Sequence, residues 1–499
     1  MDFKSATHTF VISDFHLCEA EPAHPFNPLW KRFKRREYFV DEQFRAFVEY
    51  IKTNVGHSIE LVFNGDTFDF DSVLQFSKDE KEQASWLELK RGFTAEAHKS
   101  GKKFERILND HPVFIQTLRE FILLGHRVIF VIGNHDVELH WPGVRKMLSD
   151  TLNLPLSHRD QLRFCEWFYI SNSDTLIEHG NQYDAYSVCI NPIHPLIKKG
   201  RKILVRLPFG NLANKYILNG MGLFNPHSEA SFIKNGFLDY VDFYYRKIMR
   251  TQPLLMWTWF WGAMITLITA VSEGLLPAVR DPLTSDARIQ DIAKRANTTP
   301  ASVWALRELH VHSAIFNPIK LLRELWLDRA LFIVLIVFGS FQFFSFLNVF
   351  MNASVWWFII PVLILTPVFL FYAKSVESEV IKSQAAARDA VAVASQLTGT
   401  HCVVMGHTHL EAFEVIAGTT SINTGSWSNA FKDVECTLPY GKKCFAWIRP
   451  KNADVPIDSP TPSKRESHLF EWTLAGPVLL SGSEVPSAQS SGDIVNQSA

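Results

Sequence analysis

Hydrophobic and polar positions along the first half of the chain follow two periods. Apolar runs at 8–13, 59–64 (IELVFN), 127–132 (RVIFVI) and 174–178 (DTLIE) are short and bounded by turn residues, which predicts strands. Between them, 39–53 (Val40, Phe44, Phe47, Val48, Ile51) and 112–124 carry helical spacing. A strand-like signal returns at 401–405 (HCVVM), 412–416 and 420–423. Strands alternating with helices predict an α/β sheet.

Between these two parts the periodicity disappears. Residues 253–272, 330–350 and 355–373 each run about twenty positions without a central charge, roughly the length of a bilayer-crossing helix. Phe, Trp and Ile occur on all faces, leaving no polar side for water; the alternative is three core helices of a large soluble domain. The second and third runs are joined by the short turn MNAS and predict a hairpin. Lys320, Arg323 and Arg329 precede it and Lys374 and Lys382 follow, so both ends are expected in the cytoplasm. The first run is basic on both sides and is expected to be a re-entrant or interfacial element, broken near Ser272-Glu273-Gly274. At 26–36, FNPLWKRFKRR spaces Phe26, Leu29, Trp30 and Phe33 as on a basic amphipathic helix suited to an anionic membrane surface.

Composition adds exclusions. A net charge of −1 gives no electrostatic case for a nucleic-acid partner. Six cysteines without a C-x-x-C pair argue against a zinc ribbon, although Cys436 and Cys444 flank a Pro-Tyr-Gly turn and would face each other across a hairpin. The start, MDFKSATHTFVISD, has no signal architecture and runs into the first strand, so the expectation is a catalytic part on the cytoplasmic side of the cell membrane. The Ser-rich stretch from 481 is expected to be disordered.

Chemistry enters at the strand ends. Asp14 and His16 in ISDFHL sit two apart, so a continuing strand would point them the same way. NGDTFD (64–69), GNHD (133–136), EHGNQYD (178–184) and GHTHLEAF (406–413) place further Asp, Asn and His at the ends of other strands. In an α/β sheet such ends converge on one crevice. Imidazoles and carboxylates without sulfur suit divalent ions such as Mn, Fe or Zn.

These five blocks, in this order, resemble the calcineurin-like metallophosphoesterase superfamily, whose pattern is D-x-H, G-D-x-x-D, G-N-H-[DE], a later His and G-H-x-H. The resemblance spans about 7–190 and 385–435. It implies a four-layer αββα sandwich and two divalent metal ions, Mn first, with Fe, Zn or Mg as alternatives. Carried over by position, Asp14, His16 and His409 hold one ion. Asn134, His179 and His407 hold the other, and Asp66 bridges them. The implied reaction is attack on phosphorus by a metal-activated hydroxide. His135 protonates the leaving oxygen or stabilises its charge, and Asp69 orients His135. Asp136 is expected to brace its loop, while Asn181, Tyr183, Asp184 and Trp427 are candidates for lining the substrate pocket, Trp427 alternatively for packing.

ISDFHL and the apolar segments are also similar to one branch, the UDP-2,3-diacylglucosamine hydrolases, which cleave a pyrophosphate bond in a lipid-linked nucleotide. That branch typically carries Arg at the position of His135 and has no long hydrophobic insertion. The expected organisation is a metallophosphoesterase part over 1–190 and 385–480, interrupted by a helical, membrane-associated insertion over 191–384, with a tail over 481–499. The expected function is hydrolysis of a phosphodiester or pyrophosphate in a phosphorylated lipid or lipid-linked nucleotide at the phospholipid bilayer. The alternatives are the same chemistry on a soluble nucleotide or phosphoester, and a non-catalytic metal-binding membrane scaffold.

Overall fold

The computed structural model describes residues 6–56, 58–222, 245, 254–280, 284–375, 379–451 and 465–482. The early strands are β1 (His8–Ile12), β2 (Ile59–Asn64), β3 (Arg127–Val131) and β4 (Leu162–Cys165), followed by β5 (Phe168–Ser171) and β6 (Thr175–Glu178). A small hairpin follows, β7 (Leu196–Lys199) and β8 (Lys202–Val205). Then come β9 (Cys402–Met405), β10 (Glu411–Ile416) and β11 (Thr419–Thr424). The last long strands are β12 (Cys444–Pro450), β13 (Arg465–Thr473) and β14 (Gly476–Gly482).

Two sheets result. The larger runs β14-β13-β12-β1-β2-β3-β4, parallel from β1 to β4 and antiparallel from β1 through β14. The smaller runs β10-β11-β9-β6-β5. The runs that read as continuously apolar do so because both faces are covered. Along β1 to β3, Phe10, Ile12, Leu61, Phe63, Val128 and Phe130 face one core. Their neighbours Val11, Val62, Ile129 and Val131 face another, shared with Tyr169, Ile177, Val404 and Ile422 of the second sheet. The first core is roofed by helices Asp41–Val55, Ala97–Asp110, Pro112–Leu123 and Pro142–Thr151. The outer face of the second sheet packs Trp167, Phe168, Leu176 and Val403 against Ile289, Ile292, Val303, Leu306 and Val391. Helix, sheet, sheet, helix: this is the expected four-layer sandwich.

The outer helical layer is drawn from within the span expected as the insertion. Ser285–Arg295 and Pro300–Glu308 lie inside the 191–384 span, yet they close the sandwich. Arg295 forms an ion pair with buried Glu166 at 2.6 Å, and Arg145 approaches the same carboxylate at 3.1 Å. Periodicity alone does not announce this role, because the two helices are short and polar on their outer sides. The Ser-rich tail lies outside the described residues.

The three apolar runs are helices, Leu255–Gly274, Leu327–Phe350 and Trp356–Ser375, each long and apolar enough to cross a membrane. Leu255–Gly274 is continuous and ends at the expected break. It packs Ala263 and Ala270 with Phe209, Leu212 and Tyr216 in a separate core. The other two form the expected hairpin, with Phe332 against Phe369 and Tyr372, and Phe341 against Phe358. None of the residues of Trp356–Ser375 is buried.

The basic stretch 26–36 is not an amphipathic α-helix. It forms turns and two short 3-10 segments, Arg32–Lys34 and Arg36–Tyr38. Pro25 and Pro28 restrict the backbone before them, and Lys34 is drawn inward to donate to the Ser72 carbonyl at 2.6 Å. Cys436 and Cys444 are both free thiols.

Candidate metal centre

β1 stops at Ile12, so Asp14 and His16 are not alternate positions of one strand, as strand geometry had suggested. They lie in a loop stitched to the one after β2: Asp14 N–H donates to the Gly65 carbonyl (3.2 Å) and His16 N–H to that of Asp66 (2.9 Å). Both residues have left-handed backbone, φ 55° and 49°, as do Asp66 (51°), His407 (68°) and His409 (58°). Such conformations disfavour residues with a Cβ, and they cluster where side chains must be aimed at one point.

That point is crowded. A Cβ on Gly65 would fall inside the His179 imidazole, and one on Gly406 would strike the Asp14 carboxylate and Ser13. The glycines of G-D and G-H are therefore imposed by close approach at the centre.

Asp14 Oδ1 lies 3.3 Å from His409 Nε2 and 3.9 Å from both His16 Nε2 and His179 Nε2. His16 and His409 bring their Nε2 atoms within 3.2 Å of each other. His179 Nε2 is 3.2 Å from Asp66 Oδ2. Potential ligand atoms of Asp14, His16 and His409, and separately of Asp66, His179 and His407, lie within 4.8 Å of one another. Asn134 sits in the loop after β3, where the next residue, His135, donates its N–H to Asp66 Oδ1 at 2.8 Å. All seven side chains expected to bind metal thus belong to loops that meet at one place.

The donor set fits cations. Asp14 Oδ1, Asn134 Oδ1 and His179 Nε2 are buried without a hydrogen-bond partner. Leaving buried polar atoms unmatched costs about 1–3 kcal/mol each, a cost that bound cations would relieve. The opposite ring atoms are anchored, which fixes the tautomers. His179 Nδ1 donates to the Asn64 carbonyl (2.8 Å), and His407 Nε2 pairs with Asp184 Oδ2 (3.1 Å). Asp184 is therefore placed to orient the His407 ring.

His135 Nδ1 is 3.4 Å from Asp69 Oδ1 and 3.5 Å from Asp71 Oδ2. Burial opposes its charge, but Asp66, Asp69 and Asp71 outweigh burial and raise its pKa to about 10. Asp69 also accepts from the Asp71 and Ser72 N–H groups, which fixes the carboxylate. Asp71 was missed in the sequence reading, although the D-x-D spacing of Asp69 and Asp71 was its signal. Asp136 braces the loops, as expected, accepting from Thr67 N–H (2.9 Å) and Gly133 N–H (2.6 Å).

The three candidate substrate contacts are all buried, and Trp427 takes the packing alternative. Trp427 is wholly buried, stacked on Phe15 at 5.1 Å with Nε1 donating to the Cys444 carbonyl. Tyr183 is buried with its hydroxyl on Glu178 Oε1 (2.8 Å), and buried Asn181 donates to the Ser187 carbonyl (3.0 Å). The cavity beside His16 and Asp69 is instead walled by Phe33, Lys34, Tyr38, Phe39 and Asn429.

Comparison with curated proteins finds no match. Residues 7–205 match the family model described as calcineurin-like phosphoesterase. That stretch holds four of the five blocks, and the fifth, after β9, closes the same centre. Over 7–205 the chain thus resembles the calcineurin-like phosphoesterases, and its Asp/His groups form a centre suited to metal-dependent phosphoester hydrolysis.

Proposed function

We propose that the protein is a membrane-associated two-metal phosphoesterase that cleaves a phosphodiester or pyrophosphate bond in a lipidic or lipid-linked nucleotide substrate, from the cytoplasmic side. The observation that carries this reading is the joining, in one chain, of the convergent Asp/His centre to a helical hairpin of which Trp356–Ser375 buries no residue. Exposed Phe, Leu and Ile along that helix have lipid as their natural solvent. The hairpin base supports this. Arg329 lies over the Trp326 ring at 4.9 Å, and Tyr372 donates to Asp328 Oδ2 at 2.7 Å, an aromatic and polar girdle of the kind found at bilayer interfaces.

Asp14, His16 and His409 would hold one divalent ion and Asn134, His179 and His407 the other, with Asp66 between them. When bound, the ions supply Lewis acidity, lowering the pKa of water and neutralising charge on the phosphoryl oxygens. The protein's own residues do the rest. Asp184 and the Asn64 carbonyl hold the imidazoles of His407 and His179 in the tautomers that face the centre. His135 carries a proton at the edge of the centre, with Asp69 and Asp71 keeping its Nδ1 protonated and its ring aimed. From there it donates to the departing oxygen.

The test is phosphorus NMR on detergent-purified protein with manganese, offered a UDP-linked acyl sugar and its deacylated counterpart in parallel, with Asp66→Asn as the blank. Preferential cleavage of the acylated compound is expected. Equal cleavage of both would reduce the hairpin to an anchor and favour a soluble substrate. Metal content without turnover of any phosphoester would favour the scaffold.

A further inference from the structure

Beyond the family match, the chain runs through a short helix, Phe209–Ala213, into a π-helical turn, Asn214–Leu218. A π-turn widens the helix and often marks a functional position. This segment is clamped between the apolar helix Leu255–Gly274 and the centre. Thr266 Oγ1 reaches the Leu212 carbonyl at 3.5 Å, and Gly262 lies so close to the Tyr216 carbonyl that a Cβ would collide with it. On the opposite side, Asn211 is fully buried, and its Nδ2 donates to both Asp71 Oδ2 (2.5 Å) and the Asn134 carbonyl (2.8 Å). Asn219 adds a bond to the Asp71 carbonyl at 2.6 Å.

Both acceptors flank His135. Asn134 precedes it in the chain, and the Asp71 carboxylate stands 3.5 Å from its Nδ1. One amide group therefore spends its two hydrogens on the two features that set where the imidazole lies. An isosteric carboxylate could make neither bond and would oppose Asp71. A longer amide keeps both donor hydrogens but sets them further from the backbone. The family pattern supplies Asp69 for this task but nothing at 211, which belongs to the segment tied to the apolar helix.

Resting on the hydrolase reading above, we propose that Asn211 is a positioning residue for leaving-group protonation: it holds Asp71 and the Asn134 carbonyl so that His135 is aimed at the departing oxygen. The membrane-associated region thus contributes directly to the geometry of the centre.

The distinguishing readout is leaving-group dependence. An alkoxide leaving group needs a proton in the transition state, whereas p-nitrophenolate scarcely does. Purified full-length protein is assayed with manganese on a p-nitrophenyl phosphodiester and on a dialkyl phosphodiester of the same charge. Asn211→Asp, isosteric, and Asn211→Ala are compared with wild type, with metal content measured on each. The expected result is a loss of about 10–100-fold in kcat on the dialkyl substrate, less than about threefold on the nitrophenyl one, and unchanged metal content. Asn211→Gln should recover part of the loss. Equal loss on both substrates, or loss of metal, would assign Asn211 a purely structural role and overturn the inference while leaving the hydrolase reading intact. Wild-type protein that cleaves neither diester would overturn both.

Discussion

The sandwich and the hairpin use the same residues for different solvents. Phe63 lies on β2 with no exposed surface, stacked on Phe130 at 4.8 Å and edge-on to Phe114. Phe371, near the end of the hairpin, is 78 % exposed. In the sandwich, successive side chains of a strand alternate between two different cores, and buried charges are matched by partners, as Glu166 is by Arg145 and Arg295. In the hairpin there is no alternation and no charge from 330 to 373. A strand or helix with a polar face reports a protein neighbour and water; a helix without one reports a uniform apolar medium.

The largest effects belong to the centre that the sandwich builds. Asp66 faces His179 and accepts the His135 N–H, so Asp66→Asn is expected to abolish metal binding and turnover together. His135→Ala should keep both metals and slow turnover by about 10²–10⁴. Metal analysis by mass spectrometry alongside kinetics separates the two. Equal metal loss in both variants would merge the roles assigned here and make His135 part of the ligand set.

Next in size is a pair of identical substitutions placed in the two regions. Phe63→Ala should destabilise the sandwich by about 3–5 kcal/mol, through lost transfer energy and a cavity. Phe371→Ala should change the melting of the sandwich by less than about 0.5 kcal/mol, since it removes no protein contact that the sandwich needs. Thermal unfolding in detergent, followed by near-ultraviolet circular dichroism, measures both. A comparable loss for Phe371→Ala would mean that the hairpin is an extension of the soluble core.

Much of this contrast was legible beforehand. β2 has the bounds read from IELVFN, and the hairpin helices begin and end within a few residues of the apolar runs. The site was readable because each candidate follows a strand, and the fold brings strand ends together whatever conformation the loop adopts. The loop conformation itself was not readable: the left-handed backbone at Asp14 and His16 depends on hydrogen bonds to Gly65 and Asp66, some fifty residues away. Lys34 was misassigned for the same kind of reason. A basic residue between aromatics reads as membrane-facing, and only the distant Ser72 carbonyl makes it a buried wall beside the centre. Asn211 had no local signal, because its meaning lies entirely in what it touches.

The smallest effect tests whether the outer helical layer belongs with the sandwich. Glu166 is buried, and burial alone would raise its pKa; Arg145 and Arg295 outweigh that and hold it below the usual carboxylate range. A carboxylate with a lowered folded-state pKa contributes stability that is present above its unfolded value of about 4.3 and is lost as pH falls through the folded value. The wild-type protein should therefore lose stability on acidification below about pH 4.3. Glu166→Gln removes the charge and should cost about 1.5–3 kcal/mol at neutral pH, the range for hydrogen bonds to charged groups. Its acid limb should be shallower, because the group that binds a proton on unfolding is gone. Melting curves between neutral and acidic pH measure both quantities. Since Arg295 comes from Ser285–Arg295, the double variant Glu166→Gln with Arg295→Met should lose less than the sum of the singles, the signature of a direct contact. Additive losses would break that link and return 285–308 to the insertion, leaving the sandwich with three layers of its own.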